Sequence, residues 1–577
     1  MSTRWIIILI LLLGSIVCIP LFLSGFILTH DMYFPLFRLY GIEQCLQEGQ
    51  IPPRWVSSFA LGYGYPFYNF YAPFAYYLAY LFHLVGLGYV HSIHATIICG
   101  FLLGGIGTYF WIKEVLQHKL AALVGAIVYI YFPYHLVQVY VRGDISEFMA
   151  TAFFPWVLFF YHKLSLDRTK YSPWYLSGAT VSFGIVILSH NIMALVFTGF
   201  LIVYLIFLIS FNKSTGLRST VYGLLALLLG LGLSAYFWLP ALMEKQFVSV
   251  QSLVAAADYR NHFVSLWDLI NPKWGFGGSE PGAENRMSLQ LGLAPILLSI
   301  ISLLLFFYKQ KDYLAASERK WYQFTWILLL ILIFLMLPIS KPVWLIIPMM
   351  QYILYPWRLL ALAALPLALL SGYYISLIRA KHPTSLKLRW INTSPLLYAI
   401  GAIIITIALS SIYLRHRSIP VPEQVITPEF IWNCETAQKS YGTTMKNEYL
   451  PQTVSRMPGE FAASPISIIA GNIDIRPLSN SGINRSWNIT VNAPGIIRLN
   501  TFLFPEWQVT LDGIKYPVES DSGGRLLLAV PIGEHHINQV FENTKVRTIS
   551  NYITLLSLLS LIVITGFILR AARIAKR

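Results

Sequence analysis

Long apolar runs recur along the whole chain, separated by short polar segments in which the charges collect. Runs of about 18 to 25 residues match the thickness of a bilayer core, so the pattern predicts a polytopic α-helical membrane protein of about 12 transmembrane helices. Predicted crossings include Trp5–Phe26, Ile93–Trp111, a tract from Lys170 to Asn212 broken at Ser189-His190-Asn191, Leu289–Phe307, Leu354–Ser376, Leu397–Tyr413 and Ile549–Leu569. Lys and Arg cluster in the loops KEVLQHK (113–119), LSLDRTK (164–170), NKSTGLR (212–218), KQKDYLAASERK (309–320) and RAKHPTSLKLR (379–389), and in the tail RAARIAKR. The positive-inside bias assigns all of these, and both termini, to the cytoplasm. That assignment closes only if the aromatic segment 74–87, bounded by Pro73 and Gly86, lies along the interface. A helical hairpin over 74–111 is the rival arrangement.

The same alternation sets the domain plan. Residues 1–240 form a first transmembrane module with an external loop at 29–91. An external loop at 241–287, further helices over 288–414, a polar segment at 415–547 and a final helix with a basic tail at 548–577 follow. Within 415–547, ISIIAG, WNITV, IIRLNTF, WQVTLDG and RLLLAVPIG alternate with the turn signals Asn-Ala-Pro-Gly, Asp-Gly and Gly-Gly. This predicts an extracytoplasmic β-sandwich-like domain with Phe504 and Trp507 in its core.

Composition agrees with a cell-membrane, multi-pass protein: 56% of residues are hydrophobic and only 12% charged. The formal charge of +15 resides in loops flanking apolar runs, which argues against nucleic acid as a partner. The acidic groups Asp31, Glu43, Glu48, Asp144 and Glu147 all sit where hydrophobic runs break.

Around those breaks lie HDMYFPLFR, LGYGYPFYNFYAPFAYYL, RGDISEFMA, LSHN, YPWR and GTTMKNEYLP, and near the end FPEWQVTLDG with VPIGEHHI. The arrangement resembles the GT-C superfamily of integral membrane glycosyltransferases. More closely, it resembles the bacterial membrane proteins called 6-pyruvoyl-tetrahydropterin synthase-related, near the YfhO-like proteins. The zinc-binding histidine cluster that a pterin synthase requires is not found in the sequence. The resemblance implies a transferase moving a sugar from a polyprenyl-phosphate donor to a lipid, cell-envelope polymer or glycan on the outer face. The alternative is a non-catalytic lipid or polysaccharide transport or assembly protein. Membrane lipids are partners in either case.

Carried onto this sequence, the resemblance makes Asp31 a catalytic carboxylate, with Asp144 and Glu147 as the second acidic position. Arg-Gly-Asp departs from the superfamily's usual pattern at this place and leaves the role of Asp144 open. A divalent cation held by Asp31, Asp144 and His190 is one arrangement this implies. From the residues alone, Asp31 reads either as a base or ligand or as the cap of a helix over Pro35–Leu46. Asp144 and Glu147, at i,i+3 spacing, read as functional or as ion-pair partners of Arg142. His190 reads as a hydrogen-bond donor to a phosphate, a metal ligand or a turn residue. Arg358 reads as a phosphate grip or a snorkelling arginine. The aromatic loop 258–278 adds Arg260, His262 and Lys273 as substrate contacts.

Overall fold

The structure, a computed structural model, describes residues 2–23, 25–166, 173–211, 216–250, 257–308, 315–379 and 395–574. Much of the predicted basic loops, and the end of the tail, lie outside the described residues.

Seven described helices are long and apolar enough to cross a membrane, among them Tyr89–Leu116, Ala316–Met336 and Lys545–Phe567. An eighth span results if Thr220–Leu233 and Ala235–Met243, bent by 69° at their junction, count as one. The chain is therefore a multi-pass membrane protein, but the expectation of twelve crossings is wrong. Run length misled because an apolar run is not always one straight helix. Trp5–Phe26 divides into Thr3–Ile16 and Ile19–Leu23, with Pro20 in the second piece. Within the described residues Leu293–Tyr308 and Pro173–Ser189 have 16 and 17 residues. At 1.5 Å per residue such helices extend roughly 21 to 26 Å, short of a 30 Å core. The inside-outside alternation rested on twelve crossings and does not follow from this count. The segment Phe74–Leu84 is a helix of 11 residues, roughly half a bilayer core in length.

Small residues bring the central helices together. A Cβ on Gly100 of Tyr89–Leu116 would stand 2.4 Å from the Phe148 ring, so the helix Ile145–Leu166 can pack only against bare backbone there. The run after Lys119 is buried almost throughout. It passes from Lys119–Ile130 through Pro133–Val137 into a π-turn at Gln138–Arg142. Gly143, at φ +75°, then redirects the chain into Ile145–Leu166. A buried polar network ties the bent pair to the last helix. Arg547 donates to Glu244 Oε2 at 2.8 Å, Asn69 donates to the same oxygen at 2.8 Å, and Arg54 donates to Asn69 at 3.0 Å.

The two short strands β1 (Phe26–Ile27) and β2 (Ser418–Ile419) pair antiparallel and bring the first loop against the entry to the C-terminal domain. That domain opens with a helix, Pro428–Gln438, and continues as one curled sheet. Its strands are β3 (Ile466–Asn480), β4 (Asn484–Phe502), β5 (Trp507–Leu511), β6 (Ile514–Lys515), β7 (Glu519–Ser520), β8 (Arg525–Val530) and β9 (Gly533–Phe541). Their order is β6-β5-β9-β4-β8-β7, with β3 along the other edge of β4. The predicted sandwich is thus replaced by a half-barrel. The Asn-Ala-Pro-Gly signal is not a turn between two strands: β4 runs through it, pairing with β9 before Asn492 and with β8 from Gly495 onward. Gly471 lies so close to Gly495 that a Cβ would meet its Cα at 2.7 Å, and β3 shifts register there. The bulges curl one sheet where two had been expected. Phe504 and Trp507 are buried, as anticipated.

Candidate active site

The π-turn and the first loop meet through their backbones. His30 N–H donates to Val141 O and Asp31 N–H to Arg142 O, at 2.9 and 3.0 Å. Gly143 is required at this seam, because a Cβ would stand 2.0 Å from Thr29 Oγ1 and 3.3 Å from Asp31 Cβ. Asp31 and Asp144 are thereby brought onto one site although 113 positions of chain separate them.

Asp31 does not cap the helix that follows. Tyr33 occupies the N-cap position of Phe34–Gln47, and Asp31 Oδ2 instead accepts from Arg38 Nη1 at 2.9 Å. Arg38 is buried against the Tyr71 ring and also donates to the hydroxyls of Tyr71 and Tyr76. Its Nη2 donates to Thr443 O at 2.9 Å, so a segment far along the chain holds it from the other side. Oδ1 of Asp31 takes no hydrogen bond among the described residues. Burial pushes the Asp31 carboxyl above its ordinary value and the Asp144 charge adds to this, while Arg38 and Arg142 oppose it.

Asp144 and Glu147 are held differently. Asp144 Oδ1 accepts the Glu147 N–H at 3.0 Å, capping Ile145–Leu166, and Oδ2 accepts from Arg142 Nη2 at 2.9 Å. Glu147 is fully buried between two guanidinium groups. Oε1 accepts from Arg142 at 2.7 Å, from Gln138 at 3.1 Å and from the Tyr134 hydroxyl, while Oε2 accepts from Arg358 Nε at 3.0 Å. Of the three carboxylate side chains Asp31 is the most open, at 20% exposure against 13% and 0%.

Arg142 lies 5.0 Å over the Trp357 ring and Arg358 5.0 Å over the Tyr355 ring, the two rings being stacked on each other. This adds cation–π attraction to the carboxylate pairing. Arg358 Nη1 donates to Ile353 O, but Nη2 is 4.0 Å from Asp144, too long for a hydrogen bond. Among the described residues nothing else accepts its two N–H groups, so they are available to a ligand.

His190 stands in the break between Pro173–Ser189 and Asn191–Phe211, where Nδ1 accepts the Met193 N–H at 3.2 Å. Burial lowers its pKa, and the charges of Arg358 and Arg142 lower it further, against Asp144 and Glu147. A neutral ring accepting at Nδ1 carries its proton on Nε2, which lies 3.8 Å from Asp144 Oδ2. Asp144, Glu147 and His190 offer ligand atoms within 4.8 Å of one another, a cluster whose spacing can hold a metal ion. Asp31 is not in that trio, and Glu147 stands in its stead. The surroundings fit a cation poorly. Both Glu147 oxygens and both Asp144 oxygens already accept hydrogen bonds, two guanidinium groups adjoin them, and His190 presents N–H.

The loop contributors scatter. Arg260 is exposed and clasped by Asp258 at 2.9 and 3.0 Å. Lys273 is exposed on the surface. His262 is buried on Ser279 and, among the described residues, reaches the site only through Tyr355, against which its ring packs edge-on at 4.7 Å. The loop does cover the first acidic turn, since His30 Nε2 hydrogen-bonds Phe276 O at 2.9 Å. Reading the sequence missed Arg38, Tyr134, Gln138 and Thr443. Arg38 carried a usable signal, an arginine inside the apolar run FPLFRLY two helical turns after Asp31, because a buried arginine needs a partner.

A sequence profile described as 6-pyruvoyl-tetrahydropterin synthase related domain, membrane protein, matches residues 68–418. An uncharacterized protein of Lactococcus lactis subsp. cremoris (strain MG1363) is 23% identical over 241 residues, covering 41% of this chain and 39% of that protein. The chain thus spans well under half the length of this relative. Among solved structures, arabinofuranosyltransferase AftD from Mycobacteria aligns at TM-score 0.43 and 14% identity, over 72% of this chain and 27% of that one. The Archaeoglobus fulgidus oligosaccharyltransferase aligns at 0.40 and 17%, over 78% and 61%. ArnT from Cupriavidus metallidurans, bound to undecaprenyl phosphate, aligns at 0.39 and 11%, over 79% of each chain. Because the matched profile spans more than half of its residues, this chain belongs to the 6-pyruvoyl-tetrahydropterin synthase-related family of membrane proteins.

Proposed function

We propose that the protein is a membrane glycosyltransferase of GT-C type that moves a sugar from a polyprenyl-phosphate donor to a lipid, cell-envelope polymer or glycan acceptor. One observation carries the reading: the most open carboxylate, Asp31, is tied through its backbone to the turn that bears Arg142 and Asp144, and Arg358, 4.0 Å from Asp144, keeps unspent donors. Glycosyl transfer needs only a base, a cation for the departing phosphate, and orientation.

In the proposed reaction the acceptor hydroxyl gives its proton to Asp31 Oδ1 as its oxygen bonds to the anomeric carbon. The carbon–oxygen bond to phosphate breaks, and its electron pair leaves with the polyprenyl phosphate. Arg358 Nη2 meets the charge that develops there, and Glu147 and Asp144 hold Arg358 and Arg142 in orientation. His190 Nε2–H supplies a neutral donor to the same anion. Arg38 fixes the carboxylate and keeps Asp31 from rotating onto the helix end. The test is transfer of radiolabel from polyprenyl-phosphate sugars to lipid or glycan by purified protein in bilayers. A labelled product is expected, and donor binding without any product would leave a binding or transport protein in its place.

Two further results are expected of this site. The base acts ionised, and its pKa is raised, so kcat/KM should fall with decreasing pH through a limb above the ordinary Asp value of about 3.9. A pH–rate profile checks this, and Asp31→Glu should move the limb while leaving the profile's shape. Transfer should also persist in excess EDTA, because the carboxylates of the trio are neutralised by arginines. Activity measured before and after exhaustive chelation decides it: loss on chelation with recovery on adding Mn²⁺ or Mg²⁺ would contradict the arginine-based mechanism.

A further inference from the structure

Away from this cluster, a cavity of about 480 Å³ opens between the loop after the bent helix pair and the turn leading into β5. That volume lies within the range of small-molecule sites. Its walls include Gln246, Phe247, Gln452, Thr453, Glu506 and Trp507. They are fixed by backbone bonds: Gln452 N–H donates to Phe247 O at 3.0 Å, and Ser249 N–H donates to Leu450 O at 3.1 Å. Thr453 Oγ1 donates to Leu503 O at 3.0 Å.

The polar groups here are underused. Glu506 holds φ +70°, a conformation unfavourable for a residue with a Cβ, at the tip of the Phe504-Pro505-Glu506-Trp507 turn. Its Oε2 accepts from Gln508 at 3.0 Å, and its Oε1 takes no hydrogen bond among the described residues. The Gln246 side chain makes none among them, and Gln452 spends only one long bond, 3.4 Å, on Val248 O. Phe247 is exposed and has no aromatic partner among the described residues. Trp507, 4% exposed, keeps its indole N–H unpartnered in the wall.

We infer that this cavity is a carbohydrate-binding site for a neutral glycan. A pyranose has an apolar C–H face that stacks on an aromatic ring such as Phe247. It also has vicinal hydroxyls that donate to a carboxylate and exchange paired hydrogen bonds with amides. Two amides and a carboxylate would be stripped of water for nothing by a lipid tail, and Glu506 repels an anionic ligand. The cavity is coupled to the acidic site by one packed layer. Phe504 meets the Phe70 ring edge-on at 6.3 Å, and Phe70 O accepts from Asn191 Nδ2 at 3.0 Å, next to His190. On the other side the chain runs from Gln452 back to Tyr449, whose N–H donates to Tyr65, and on to Thr443, which holds Arg38. The glycan held here is the distal part of the acceptor. That assignment rests on the transferase reading, whereas the binding itself does not.

The experiment is calorimetric titration of the full chain in lipid nanodiscs with short neutral oligosaccharides of glucose, mannose, galactose and N-acetylglucosamine, with a sugar phosphate as control. At least one neutral series should bind more tightly than the sugar phosphate. Phe247→Ala should weaken it about fivefold or more, and E506Q about tenfold, with unchanged thermal melting. D31N should bind the glycan as the wild type does. Failure of every neutral series, binding untouched by both cavity substitutions, or binding lost in D31N would each overturn the inference. Glycan binding that depends on the cavity in a protein that transfers nothing would leave this site standing and sink the transferase reading.

Discussion

Asp31→Asn is expected to reduce sugar transfer by about 10²–10⁴-fold while donor affinity stays within a few-fold of wild type. Asparagine is isosteric and still accepts from Arg38 Nη1 through its amide oxygen, so the packing of Arg38 on Tyr71 and Tyr76 persists. What disappears is the group proposed to receive the acceptor's proton. In the proposed mechanism the donor's phosphate meets other residues, chiefly Arg358, whose orientation rests on Glu147, so binding and turnover should separate in this variant. Steady-state kinetics with labelled donor, alongside equilibrium donor binding, measures both. Equal losses in the two would mean that Asp31 serves the structure of the first loop and not the proton.

Glu147→Ala is expected to destabilise the protein by about 3–5 kcal/mol. The residue is fully buried and neutralises Arg142 and Arg358 together, so its loss strands Arg358, leaves Arg142 with Asp144 alone, and frees the Tyr134 and Gln138 donors. Glu147→Gln should cost less, because an amide oxygen can still accept from Tyr134 or Arg142. In that variant KM for the donor should rise more than kcat falls, since Arg358 loses the partner that orients it. Chemical unfolding in detergent gives the first number and donor kinetics the second. An E147A protein as stable as wild type would show that the two arginines need no buried counter-charge.

The legible parts of this site were the local ones. Arg142, Asp144 and Glu147 stand within one turn and its following helix, so their mutual pairing could be read from spacing alone. Their meeting with Asp31 could be expected only from the family likeness, because it depends on Gly143 and on backbone bonds between two distant segments. Thr443, 405 positions from Arg38, had no signal at all. Arg260 and Lys273 misled because a basic, aromatic loop is read by composition, whereas Arg260 is consumed by its neighbour Asp258. The fold went astray where one-dimensional signals were taken at face value. An apolar run predicts one straight crossing, but Pro20 and the kink after Leu233 break two such runs, and Pro494-Gly495 predicts a turn where β4 instead bends through. Membrane character, the helical bundle and the β-rich C-terminal domain survived because they depend on composition and periodicity summed over many residues.

Whether Asp31 receives the acceptor proton beside an arginine-held phosphate is decided by a single-turnover measurement in nanodiscs. Wild type and D31N are each preloaded with radiolabelled polyprenyl-phosphate sugar and then given acceptor. The wild type should release polyprenyl phosphate and labelled product, while D31N should retain the intact donor over the same interval. Turnover at equal rates in the two proteins would contradict it.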